Sequence, residues 1–158
     1  MGYGPFYALN VAIEGGCSDE VIDLLLSRTS KTQFDHAFEF SLNCLGTAAR
    51  VGNLRAARKL LDAGADVDYE DTGMALIMAI RSNDKSMVRL LLDAGASIDK
   101  RIGKEQDTPL EYALRSGYHD VLGVLLEHGT VTEKALRLAV DNGVYDTVKQ
   151  MVNTEDIS

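Results

Sequence analysis

The chain has no tryptophan, two prolines and two cysteines. Cys17 and Cys44 build neither a disulfide framework nor a metal-type pair, so a reducing, cytoplasmic setting is expected. No apolar run approaches the ~20 residues a membrane-crossing helix needs. The opening MGYGPFYALN lacks the basic region and apolar stretch of a secretory signal. Gly2 would suit myristoylation, but Phe6 stands where that motif wants Ser or Thr. Positive charge is also scarce: 16 Lys and Arg face 24 Asp and Glu, for a net −8. Nucleic acids and anionic membranes require clustered positive charge, so neither is an expected partner. Leu, Ala, Gly and Asp are plentiful instead, which suits helices joined by tight turns in one soluble domain of 158 residues.

The organising unit is clearest from Leu45 to Asp68, LGTAARVGNLRAARKLLDAGADVD. Leu45, Ala48 and Ala49 form a small-residue face, and Gly52 ends that helix. Leu54, Ala57, Leu60 and Leu61 form a second apolar stripe, closed by Gly64. One such hairpin buries too little to fold alone, so copies should stack beside it. The core Leu-x-x-Ala-x-x-x-Gly recurs as Leu9/Ala12/Gly16, Leu45/Ala48/Gly52, Leu76/Ala79/Asn83, Leu110/Ala113/Gly117 and Leu136/Ala139/Gly143. The second helices follow with Val21/Leu24/Leu25, Ala57/Leu60/Leu61, Val88/Leu91/Leu92, Leu122/Leu125/Leu126 and Val148/Met151/Val152. Gly and Asn are the residues that tolerate a left-handed backbone, so Asn83 obeys the same rule as the four glycines.

Successive interhelix residues are 36, 31, 34 and 26 positions apart, around the period of about 33 of ankyrin arrays. Asp107 to Gly129, DTPLEYALRSGYHDVLGVLLEHG, resembles the ankyrin Thr-Pro-Leu-His hairpin, and LLDAGADVD and LLDAGASID resemble its tail. The resemblance covers nearly the whole chain. It implies an all-α ankyrin-repeat solenoid of about five repeats, at residues 5–30, 35–68, 72–99, 106–130 and 132–153. Antiparallel helix pairs would stack with β-hairpin-like fingers between repeats. Phe34, Phe38, Leu42 and Leu45 are spaced for one helix face, so repeat two should open with an extended helix from near Asp35. Thr132 is placed to cap the last repeat directly, leaving fingers only after repeats two and three. Pro5 suits the first turn of the opening helix. The start at Met1 and the short fifth repeat suggest a self-contained unit.

No catalytic, metal or cofactor motif is present. His36, His119 and His128 are scattered, and Cys17 beside Gly16 reads as a buried, inert thiol. Gly103-Lys104 is followed by Glu105, which fails the phosphate-loop pattern. Counting Asp66 as the first calcium-loop position puts Asp71 where Gly is required and Ile77 where Glu is required.

One pattern stands out. Two residues before the interhelix position, repeats two to four carry Arg50, Arg81 and Arg115, bracketed by Glu14 and Asp141. The resemblance puts this position in the concave groove that contacts partners, in a row about 10 Å apart. The competing reading is a solvated Arg offsetting a helix dipole. The fingers add an acidic tip, Asp66, Asp68, Glu70 and Asp71, and a basic one, Lys100, Arg101, Ile102 and Lys104. Asp68 and Asp99 stand where other ankyrin repeats carry a hydroxylatable Asn. The expected function is a non-enzymatic module, monomeric by itself, that binds another protein through groove and fingers. The alternative is an immunity-type inhibitor blocking a basic partner.

Overall fold

The computed structural model describes residues 5–35, 43–69 and 74–153. Among them are eleven helices: α1 (Pro5–Glu14), α2 (Asp19–Arg28), α3 (Lys31–Asp35), α4 (Cys44–Val51), α5 (Leu54–Asp62), α6 (Met74–Arg81), α7 (Lys85–Asp93), α8 (Pro109–Ser116), α9 (Leu122–His128), α10 (Glu133–Asp141) and α11 (Tyr145–Asn153). Apart from α3 they form five hairpins: α1/α2, α4/α5, α6/α7, α8/α9 and α10/α11. First helices pack on first helices and second on second, so the molecule is an all-α stack.

Local chemistry explains the short, regular elements. Gly16, Gly52, Gly117 and Gly143 have φ between 65° and 75°, and Asn83 adopts φ 51° at the equivalent turn. Helix starts are capped by side chains: Asn43 Oδ1 accepts from Gly46 N at 2.7 Å, Asn53 Oδ1 from Ala56 N at 3.1 Å, and Thr132 Oγ1 from Ala135 N at 3.0 Å. Thr108 and Glu111 form a reciprocal capping box around Pro109 at the start of α8. Leu9, Leu45, Leu76 and Leu110 are buried, as are Ala12, Ala48, Ala79, Ala113 and Ala139. Small first-helix residues let neighbouring hairpins close together, while larger side chains such as Leu60, Leu91 and Leu125 fill the space between second helices.

Three expectations need correction. The first helix of repeat two is not one unbroken helix from near Asp35 through Leu45: α4 starts at Cys44, because Asn43 holds an extended backbone and caps it. Phe38 and Leu42 lie outside the described residues. In α2 the fully buried residue is Ile22, not Val21 or Leu24, which are 40% and 59% exposed. Their register-mates Ala57, Val88 and Leu122, and Leu60, Leu91 and Leu125, are all buried. In those hairpins a preceding hairpin covers the positions, and the first hairpin has none among the described residues. Cys17 is half-buried; Cys44 is the buried thiol, and burial followed by the Asp35 charge pushes it up to about 12.

Between α7 and α8, Ile102 and Asp107 exchange both backbone hydrogen bonds (2.8 and 3.1 Å), closing a small antiparallel turn. Between α9 and α10 the link is only Gly129 to Thr132. Carboxylates tie successive hairpins together on this side. Asp35 accepts from Asp66 N (2.9 Å), Asp68 from Ser97 N (2.9 Å) and Asp99 from Thr130 Oγ1 (3.2 Å).

Candidate functional site

Arg50, Arg81 and Arg115 occupy the last turns of α4, α6 and α8, each two residues before a left-handed turn residue, and all three are exposed. The row is tied together by Ser82, whose Oγ donates to the Arg50 carbonyl at 3.0 Å. The three guanidiniums differ in electrical state. Arg50 is paired with Glu14 of the first hairpin. Arg115 reaches Asp107 at 2.9 Å and Glu105 at 3.4 Å. Arg81 has no ion-pair partner among the described residues, and neither does Asp141 at the end of the row. Net positive potential in the row is therefore concentrated at its middle member. At the turn side of Arg50, an open groove of about 410 Å³ runs between the first two hairpins, lined by Glu14, Val51, Asn53 and Arg55.

Arg115 leads into a polar network that sequence reasoning missed. Asp107 and Glu111 are both buried, yet three cations converge on them. Lys134 of α10 lies 2.6 Å from Asp107 and 3.4 Å from Glu111, and donates to the Glu105 carbonyl at 3.0 Å. Arg101 stands 3.5 Å from Glu111 and donates to the Gln106 carbonyl at 3.0 Å. Glu111 also accepts from the Thr108 backbone at 3.1 Å and from the Thr132 hydroxyl. Burial works to raise the Glu111 carboxyl, but the Thr132, Thr108 and Lys134 hydrogen bonds outweigh it and hold it below its ordinary value. The hydrogen bond to Asp107, joined by Glu111, holds Lys134 above its own. Finger, fourth hairpin and fifth hairpin are locked into one rigid corner. The visible signal was Thr108-x-x-Glu111, a capping-box spacing.

The finger candidates separate similarly. Asp68 spends its carboxylate on Ser97 N, and Asp66 Oδ1 accepts from Asp68 N at 3.0 Å. These acids brace the finger as well as charging it. Glu70 and Asp71 lie outside the described residues. Ile102 is half-buried with its backbone committed to Asp107, whereas Lys104 is exposed at the turn's tip. Lys100 is half-buried just before it. His128 is anchored through Nδ1 to the Val124 carbonyl at 2.9 Å. Among the described residues, no three His, Cys, Asp or Glu side chains converge as a metal set would require. No helix there is long and apolar enough to cross a membrane.

The model for ankyrin repeats in three copies matches this chain over residues 9–102 and 45–135, most of the hairpin stack. The chain belongs to the ankyrin repeat family. An ankyrin repeat protein of Fowlpox virus (strain NVSL), FPV014, is 31% identical over 150 residues, which cover 90% of this chain. The match takes in 34% of that relative, so the chain spans about a third of its length. Ankyrin repeats are generally protein–protein interaction modules rather than enzymes.

Proposed function

We propose that this ankyrin chain is a non-enzymatic module that binds another protein through the exposed ends of α4, α6 and α8 and the finger at 101–106. The observation that carries the reading is the electrical asymmetry of the Arg row. Arg50 and Arg115 are held by carboxylates, and Arg81 between them has none among the described residues. A partner carboxylate docked at Arg81 gains a bidentate, charge-assisted pair without breaking an existing one. Lys104 at the finger tip, with Arg101 behind it, extends the same sign of charge, so an acidic segment of the partner would be oriented between row and finger. Asp66, Asp68, Glu70 and Asp71 give the neighbouring finger the opposite sign, which sets direction.

The chain works as a monomer in an intracellular, reducing setting in this reading, with no cofactor. A narrower role, blocking a basic partner enzyme, draws its support from the net charge of −8. The test is capture of a partner by the intact chain, repeated with Arg81→Glu and, as control, Arg58→Glu on the exposed side of α5. The reading requires Arg81→Glu to weaken binding about tenfold or more and Arg58→Glu to leave it unchanged. Equal affinities for both variants would overturn it.

A further inference from the structure

One junction inside the stack stays open on the side of the interhelix turns. Between the second and third hairpins, Asp84 Oδ2 lies 3.5 Å from where a Cβ on Gly52 would stand. Between the third and fourth, Asn83 Nδ2 donates to Asp120 Oδ2 at 2.6 Å. Between the first and second, a Cβ on Gly16 would meet nothing within 4 Å. Asn53, the register-mate of Asp84, turns inward instead. Its Nδ2 donates to the Ile13 carbonyl at 3.2 Å while its Oδ1 caps α5. The groove of about 410 Å³ is the space this leaves.

Two of the residues that line it are unlike their register-mates. Val51 is 37% exposed, where the other hairpins carry Gly15, Ser82, Ser116 and Asn142. Leu54 is half-buried, where they carry Ser18, Lys85, His119 and Tyr145. Both belong to the second hairpin, which has a packed hairpin on either side, so their exposure does not come from a missing neighbour. The groove therefore offers an aliphatic wall bounded by the polar groups of Glu14, Asn53 and Arg55.

Charge states what flanks an incoming side chain. Glu14 and Asp19 are engaged by Arg50 and Arg55. Asp84 Oδ1 accepts from Ser86 N and Met87 N, both at 3.0 Å. Arg81 and Lys85, in the next hairpin, have no ion-pair partner among the described residues. The Ser82 bond to the Arg50 carbonyl, 3.0 Å, sets the end of α6 against the Arg50–Val51 peptide, and Lys85 is the register-mate of Leu54. Two cations thus stand one hairpin along from the two aliphatic residues. A segment that seats an aliphatic side chain in the groove carries its neighbouring carboxylates over Arg81 and Lys85.

We infer that this groove receives an aliphatic side chain of the partner segment whose acid docks at Arg81. The acidic half of the inference rests on the Arg81 reading, and the aliphatic half on the groove alone.

The probes are two blocked pentapeptides, Ser-Asp-Asp-Leu-Ser and the same peptide with Gly for Leu, titrated into the intact chain at up to millimolar concentration. Backbone amide chemical shifts give both the affinity and the place of binding. The Leu peptide should move the amides of residues 51–55 as well as 81–85, and should bind about fivefold more tightly than the Gly peptide. That preference is what burying roughly half a Leu side chain supplies. Val51→Ser installs the residue that the third and fourth hairpins carry at this position, and should abolish the preference. Arg81→Glu should weaken both peptides alike. Equal affinities for the two peptides, unmoved amides at 51–55, or a Leu preference that survives Val51→Ser overturns the inference. If Arg81→Glu still weakens both peptides in that case, the Arg81 reading stands without the groove. A Val51-dependent Leu preference that ignores Arg81→Glu supports the groove and strikes the Arg81 reading. No binding of either peptide overturns both. Concentration-dependent self-association that Val51→Ser abolishes also overturns the inference, by naming a second copy of the chain as the occupant.

Discussion

Glu111 is 0% exposed, and its two carboxylate oxygens meet the Thr108 N–H, the Thr132 hydroxyl, Lys134 and Arg101. Glu111→Ala leaves the Thr108 N–H and the Thr132 hydroxyl without this acceptor, in surroundings where an unmade hydrogen bond costs about 1–3 kcal/mol. It also leaves Lys134 and Arg101 to share fewer carboxylates. The expected loss is about 2–4 kcal/mol, mostly from those two unmade hydrogen bonds, because Lys134 and Arg101 are both partly exposed and Lys134 keeps Asp107. Glu111→Gln keeps the shape and one acceptor oxygen but removes the charge, so about 1–3 kcal/mol should be lost. Glu133→Gln, which breaks the exposed pair with Arg137 in the same part of the chain, should fall within about 0.5 kcal/mol of the parent.

Urea unfolding followed by circular dichroism ranks the three, and hydrogen exchange locates the loss at α8 and α10. pH adds a sign. Glu111 is held below its ordinary 4.5, so its contribution is full above that value and is lost as pH falls through the lowered folded value. Lys134 is held above 10.5, so its contribution is full below 10.5 and is lost as pH rises through the raised value. The gap between parent and Glu111→Gln should be widest between those limits and close in acid. If Glu111→Ala costs no more than Glu133→Gln, or the gap ignores acid, the network does not hold the corner together.

Two further outcomes are expected. Asn83→Ala should destabilise by about 1–2 kcal/mol, because Ala lacks the short polar side chain that makes φ 51° tolerable to Asn, and the 2.6 Å bond from Asn83 to Asp120 disappears. Asn83→Gly should recover the backbone part, and urea midpoints of the pair separate the two contributions. Asp68→Ala should cost about 1 kcal/mol and loosen the second finger, seen as faster exchange at Ser97 N–H, since that amide loses its acceptor.

What could be read from the chain followed from chemistry local to one hairpin. The Gly and Asn turn residues, the Leu and Ala faces and the Thr132 cap each act within a few residues, and each stands where the spacing puts it. Val21, Leu24 and Val140 have the same periodicity as their buried equivalents, yet are exposed. Burial in a stack depends on a neighbouring hairpin that local periodicity does not encode. The Arg row was legible as a register pattern. Its division into two paired members and one without an ion-pair partner among the described residues depends on carboxylates from elsewhere, Glu14 on a preceding hairpin and Asp107 in a finger. Asp35 resembled the beginning of a helix; its burial and its bond to Asp66 N arise from a contact 31 residues away. Asn43 was overlooked inside an apolar spacing that favoured one long helix, although a short polar side chain there offered a cap.

The claim that matters most is that a partner is held on the first-helix side of the stack, centred on Arg81. Hydrogen exchange of the intact chain, alone and with its captured partner, tests it directly. Slowed exchange should concentrate in the last turns of α4, α6 and α8 and in residues 101–106, and should be lost with Arg81→Glu. Protection confined to α5, α7 and α9, unaffected by that substitution, would contradict the account.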